Sequence, residues 1–140
     1  MSVTRRVLAP LRPPARVLTG STYVLLGFDA WRAPGGRVDM AGPVLARMRK
    51  VAPLPDDDEQ LVRLNAGVQV VAGAMLAMGI YPRLSALALA GSLIPTTLAG
   101  HSFWNLEDPA AQKAQRVQFH KNMAMLGGLL LAVLDDPDCS

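Results

Sequence analysis

The chain has 140 residues, 51% of them hydrophobic, a single cysteine and a formal net charge of +3. That length calls for one domain, and Cys139 alone excludes an intrachain disulfide, a CxxC redox motif and a cysteine-rich metal site, so any redox chemistry must borrow its electron carrier. The mean hydropathy is only +0.25, yet the apolar residues are gathered into blocks, which is the pattern of a membrane protein; beside such blocks, lipid headgroups are a simpler partner for the basic residues than nucleic acid.

Residues 1–14 hold three prolines and three arginines, the composition of a disordered, solvated arm. The apolar run after Arg16 is longer than a signal-peptide core and lacks a clear A-x-A cleavage site, so it is read as a retained first span over residues 15–32. Arg16 can snorkel at one end and Trp31 suits the aromatic belt at the other. Pro34, Gly35 and Gly36 end this helix. In the link that follows, Met40, Val44, Leu45, Met48 and Val51 recur at helical steps, with Arg47, Arg49 and Lys50 between them. A short helix at the lipid interface fits that pattern, and so does a helix packed on the protein itself. PLPDDDEQ then supplies a proline stop and an acidic helix start.

The second span is predicted over 61–80 and the third over 83–100, joined so tightly that the two must be antiparallel neighbours. Pro95 is expected to free the Gly91 carbonyl and bend the third span, with Ser92, Thr96 or Thr97 compensating by hydrogen bonding. The fourth span is predicted over 117–134, closed by Asp135, Asp136 and Pro137, with 137–140 as a C-terminal tail. The predicted fold is therefore all-α, a four-helix transmembrane bundle over 15–136. Asn65, Gln69, Gly73 and Ala77 form one small and polar stripe, and Ser85, Ala88, Ser92 and Ala99 another. Such stripes let membrane helices approach closely, as Gly127 and Gly128 would in the fourth span.

Polar groups inside apolar spans are costly without partners, so they are the candidates for function. Asn65 and Gln69 suit hydrogen bonding to a quinone carbonyl or other polar ligand; interhelical bonds that only set the geometry of the bundle are the alternative. GHSFWN (100–105) and QFHKN (118–122) add His101, Trp104, His120, Lys121 and Asn122 on the same membrane side, and together these residues form a candidate pocket. The histidines equally suit simple interfacial hydrogen bonding, Lys121 suits snorkelling, and Phe103 with Trp104 suits the aromatic belt. No metal-ligand set accompanies them, and no catalytic residue is assigned.

GHSFWN, QFHKNMAMLGGLLLAVLD, GFDAWRAPGG and LNAGVQVVAGAMLAMG together resemble the DoxX family of small bacterial four-helix membrane proteins, and RAP with PTTLAGHSFW is similar to its actinobacterial forms. The most specific segment carries Phe119, Lys121, Asn122, Gly127, Gly128 and Leu129 to Leu131. The resemblance implies a plasma-membrane protein acting as accessory subunit to a redox or thiol and oxidative-stress complex, with soluble redox enzymes as partners. Two rivals stand beside it: a quinone-linked, thiosulfate-type oxidoreductase using His101, Lys121 and Asn122, and a small-molecule carrier, which would need broken helices at the midplane and has only Pro95 as a hint. Many relatives have an acidic residue where this chain has Gln69, and an amide cannot relay a proton. Orientation rules conflict: five Lys or Arg lie on the side of the termini and nine on the other, while the family picture and the arginines ahead of the first span favour cytoplasmic termini, which is the expectation adopted.

Overall fold

The computed structural model describes residues 3–135, and every regular element among them is helical. A short helix α1 (Val3–Leu8) and a 3-10 turn (Ala9–Leu11) lead into α2 (Arg12–Arg32). Then come α3 (Gly36–Met48), α4 (Asp58–Met78), α5 (Pro82–Gly100), a 3-10 turn at Phe103–Asn105 and α6 (Pro109–Leu134). Three segments are long and apolar enough to cross a membrane: Asp58–Met78, Pro82–Asn105 and Pro109–Leu134. α2 is 21 residues long but is not among them; Arg16, Thr19, Ser21, Thr22 and Asp29 dilute its apolar residues.

Helix starts lie earlier than apolarity alone predicts because caps and prolines set them. The basic arm is helical where an extended chain is expected, since Pro10 and Pro13 or Pro14 occupy the first turn of their elements, where a missing N–H costs nothing. α6 begins at Pro109 rather than near 117 because the Asp108 carboxylate accepts from the Ala111 N–H at 2.9 Å. Asp57 caps α4 in the same way, accepting from the Gln60 N–H at 3.1 Å. α4 closes on Gly79 (φ 72°), with the Ile80 N–H donating to the Met75 carbonyl at 2.8 Å, and Tyr81 (φ 42°) leads directly into α5. Met1, Ser2 and the expected tail at 137–140, with Asp136, lie outside the described residues.

The closest packing is between α2 and α4, which run antiparallel: Gly20 lies against Gly73 and Ala77, Gly27 against Ala66 and Gln69. A Cβ added to Gly73 would stand 2.7 Å from the Gly20 carbonyl oxygen, and one added to Gly27 would stand 2.9 Å from that of Ala66. The two backbones touch because neither has a side chain in the way. Tyr23 of α2 enters the core beside Ala72 and Leu76 of α4, Ala86, Leu89, Ala90 and Leu93 of α5, and Leu129 of α6. α6 joins through Leu129 with Met125, Leu126, Ala132 and Val133. Gly127 and Gly128 do not perform the expected close packing, for both are exposed and an added Cβ would meet nothing within 4 Å. An ion pair between Arg12 and Asp135, 2.8 Å long, brings the start of α2 beside the end of α6.

α5 continues unbroken through Pro95, and the Thr96 hydroxyl donates to the Ser92 carbonyl at 2.9 Å. The helix read from the link is present as α3. Ala41 and Leu45 are buried, and α3 contacts both α4 and α5. Arg49 donates to the Pro55 carbonyl and pairs with Asp58 at 2.5 Å, whereas Arg47 and Lys50 stay exposed.

The glycine contact yields a direct test. Gly73→Val should lower the melting temperature in detergent by several degrees, because a side chain there must push two backbones apart at a cost of about 1–3 kcal/mol. Gly127→Val, with open space around it, should change it far less. Equal shifts in a thermal-unfolding assay would refute this account of the seam.

Candidate functional site

The face of α4 bearing Asn65 and Gln69 meets the face of α5 bearing Ser92 and Thr96. Asn65 Nδ2 donates to Thr96 Oγ1 at 2.9 Å, Gln69 Nε2 donates to the same oxygen at 3.3 Å, and Ser92 Oγ donates to Asn65 Oδ1 at 2.8 Å. Thr96 Oγ1 in turn donates to the Ser92 backbone carbonyl, so Asn65, Ser92 and Thr96 form a ring to which Gln69 adds a donor. Thr97, rotated about 100° from Thr96 by the helical repeat, serves the opposite neighbour: Asn122 Nδ2 of α6 donates to its Oγ1 at 3.0 Å. A lane of amides and hydroxyls thus links α4, α5 and α6, and Gln69, Ser92 and Thr97 within it are only 7%, 6% and 1% exposed. Each such interhelical bond in a membrane contributes roughly 0.6 kcal/mol.

The remaining residues predicted for the pocket lie elsewhere. His101, half-buried at the end of α5, shares a 2.7 Å hydrogen bond between its Nδ1 and Gln115 Oε1 of α6. His120 is exposed and its Nδ1 lies 2.9 Å from the Arg116 carbonyl, one turn back on its own helix. Trp104 is exposed and packs edge-to-face with Phe103 (5.2 Å) and Phe119 (5.8 Å), which themselves meet at 5.5 Å; the His120 ring lies 5.7 Å from Phe119. Lys121, next to Asn122 in sequence, is exposed. Asn65 and Gln69 therefore share one partner, Asn122 joins them through adjacent threonines, and the histidines, Trp104 and Lys121 lie outside this lane. Among the described residues, no three His, Cys, Asp or Glu side chains gather as a metal site would require.

Five contributors were not singled out as site residues in the sequence. Ser92, Thr96 and Thr97 enter the sequence reading only as packing or kink-compensating residues, and Gln115 gives no periodic signal; their importance lies in which helix they face. Tyr23 is the fifth. It is 2% exposed, and its hydroxyl has no hydrogen-bond partner within the structure. Its signal was a lone phenol amid an apolar run.

The DoxX family model matches residues 13–102. The chain belongs to the DoxX family. That match covers α2 to α5 and the His101 corner, but not α6, whose Phe119, Lys121, Asn122 and paired glycines carried the resemblance most specifically in the sequence. No curated protein and no solved structure matches the chain. Family membership together with three helices able to cross a membrane makes this a multi-pass membrane protein, its helices in contact with lipid. In this DoxX protein the lane lies between helices of that kind, where an unpartnered amide has no water to turn to.

The buried phenol yields a second test. Tyr23→Phe removes a hydroxyl whose burial without a partner costs about 1–3 kcal/mol, so its melting temperature should equal or exceed that of the parent protein. A drop of several degrees would show that the hydroxyl has a bonding partner in the folded protein.

Proposed function

We propose that this DoxX protein is an accessory membrane subunit that scaffolds a membrane-associated redox or thiol and oxidative-stress complex, rather than the catalyst itself. The carrying observation is that the intramembrane polar groups are spent on one another. Asn65, Ser92 and Thr96 bond in a ring that Gln69 joins through its Nε2, Asn122 is committed to Thr97, and none of these groups titrates near neutral pH. In this reading soluble redox partners meet the exposed Trp104 in the turn before α6, together with the exposed Lys121 and His120 midway along α6; the Phe119 ring links His120 to Trp104.

In the same proposal α2 is the fourth span and the protein resides in the plasma membrane with cytoplasmic termini. Support for the fourth span comes from the antiparallel seam of α2 along α4 and from the Arg12 to Asp135 pair joining its start to the end of α6. The rival reading, a quinone-linked oxidoreductase, needs His101, Lys121 and Asn122 to act on one ligand. Against it stand their separate surroundings, a Gln115 partner, an exposed position and a Thr97 partner respectively.

Affinity purification from native membranes should recover a soluble redox enzyme, identified by its own activity, with no stoichiometric quinone on the DoxX chain. Lys121→Met should reduce that recovery at unchanged protein abundance, while Asn122→Leu should lower abundance by breaking the α5 to α6 bond. Bound quinone whose turnover is lost in Lys121→Met and Asn122→Leu at normal abundance would replace this reading with the enzymatic one.

A further inference from the structure

An open groove of about 880 Å³ runs along the outer side of α4 and α5. Its walls are Leu64, Val68 and Val71 of α4 with Leu84 and Ala88 of α5, and Trp31 of α2 stands at its rim. Gly67 forms part of the lining, and a Cβ built on it would meet nothing within 4 Å. Leu64, Val71 and Leu84 are more than half exposed, so in the bilayer this groove is filled by something apolar. Its apolar stretch from Leu64 to Met75 is about 16 Å long at 1.5 Å per residue. One leaflet of hydrocarbon is about 15 Å deep. A single acyl chain entering from one face matches that depth, whereas a packed transmembrane helix would continue past it.

The polar end of the groove selects the headgroup. Asp57, Glu59, Gln60 and Arg63 line it, giving two carboxylates and one guanidinium. Arg63 is held in place: its Nε and Nη2 lie 3.0 and 2.9 Å from Glu59 Oε1, and its Nη1 donates to the Trp31 carbonyl at 3.1 Å. Three of its donors are thereby engaged, and a guanidinium has about five, so two remain for a phosphate. Glu59 Oε1 is taken by Arg63 and Asp57 Oδ1 by the Gln60 N–H, which leaves each carboxylate its second oxygen for a cation. A purely anionic headgroup offers them no cation, and a quaternary ammonium offers no N–H.

We infer that the protein retains one phospholipid bearing both a phosphate and a primary ammonium, with an acyl chain in the α4 to α5 groove, the phosphate on Arg63 and the ammonium on Glu59 and Asp57. This site is independent of the polar lane and of the accessory-subunit reading; it rests only on the protein lying in a bilayer.

The probe is native mass spectrometry of the full chain released from bilayers of equal phosphatidylethanolamine and phosphatidylglycerol with identical acyl chains. The parent protein should carry one phosphatidylethanolamine, favoured about tenfold over phosphatidylglycerol, the effect of one charge-assisted hydrogen bond. Glu59→Gln, a change outside the hydrocarbon, should erase that preference. Gly67→Phe should remove the bound lipid at unchanged melting temperature, while Gly91→Phe, where an added Cβ also meets open space, should keep it. Equal retention of the two lipids by the parent protein, undiminished lipid on Gly67→Phe, or a lipid-free dimer of the parent chain would overturn the inference.

Discussion

The approach of two backbones at Gly20 with Gly73, and at Gly27 with Ala66, is the constraint on which the rest of the structure depends. In a bilayer, leucine gains little by leaving lipid for protein, so helices associate through close van der Waals contact and hydrogen bonds. Small residues seven apart on both helices bring α2 against α4 at backbone range. With α2 so close, Tyr23 joins the buried cluster that holds Leu76 of α4, Leu89 and Leu93 of α5 and Leu129 of α6. The least apolar long helix is thus the one held by the tightest contact.

With that seam formed, an adjoining face of α4, sharing Gln69 with the seam, is left to α5, and there the adhesive is polar. Asn65 and Gln69 meet a hydroxyl pair, and the next residue along α5 turns the same chemistry toward Asn122. Amides and hydroxyls suit this position because they bond in both directions without charge, whereas a carboxylate or ammonium would need a counter-ion or water. The ion pairs accordingly sit toward helix ends: Arg12 with Asp135 at one end of the bundle, Arg49 with Asp58 and Arg63 with Glu59 at the other. Exposed ion pairs of this kind contribute little energy, but they fix which ends lie together.

Much of the helical order was legible in the sequence because apolar blocks bounded by Pro, Gly and charge leave few alternatives. The Gly73 stripe and the partnership of Asn65 with Gln69 were visible in four-residue spacing. Helix starts were less so, since a cap such as Asp108 or a first-turn proline such as Pro13 adds turns that hydropathy does not register. Side-chain direction was the least legible. Lys121 and Asn122 are adjacent, and a rotation of one residue decides that one is exposed while the other bonds Thr97; the sequence alone carries no phase for α6 relative to α5. The same ambiguity assigned close packing to Gly127 and Gly128, which the structure leaves open, and hid the role of Gly20 and Gly27, whose seven-residue spacing is not the four-residue step of the α4 stripe.

The account's central claim is that the intramembrane polar lane is structural, its members bonded to one another. A double-mutant cycle on Asn65→Leu and Ser92→Ala, read by reversible unfolding in bicelles, measures that bond directly. The account predicts a coupling energy of about 0.6–1.7 kcal/mol, the range for membrane interhelical hydrogen bonds. Additive effects with no coupling would contradict it, and would show that these side chains are not each other's partners in the folded protein.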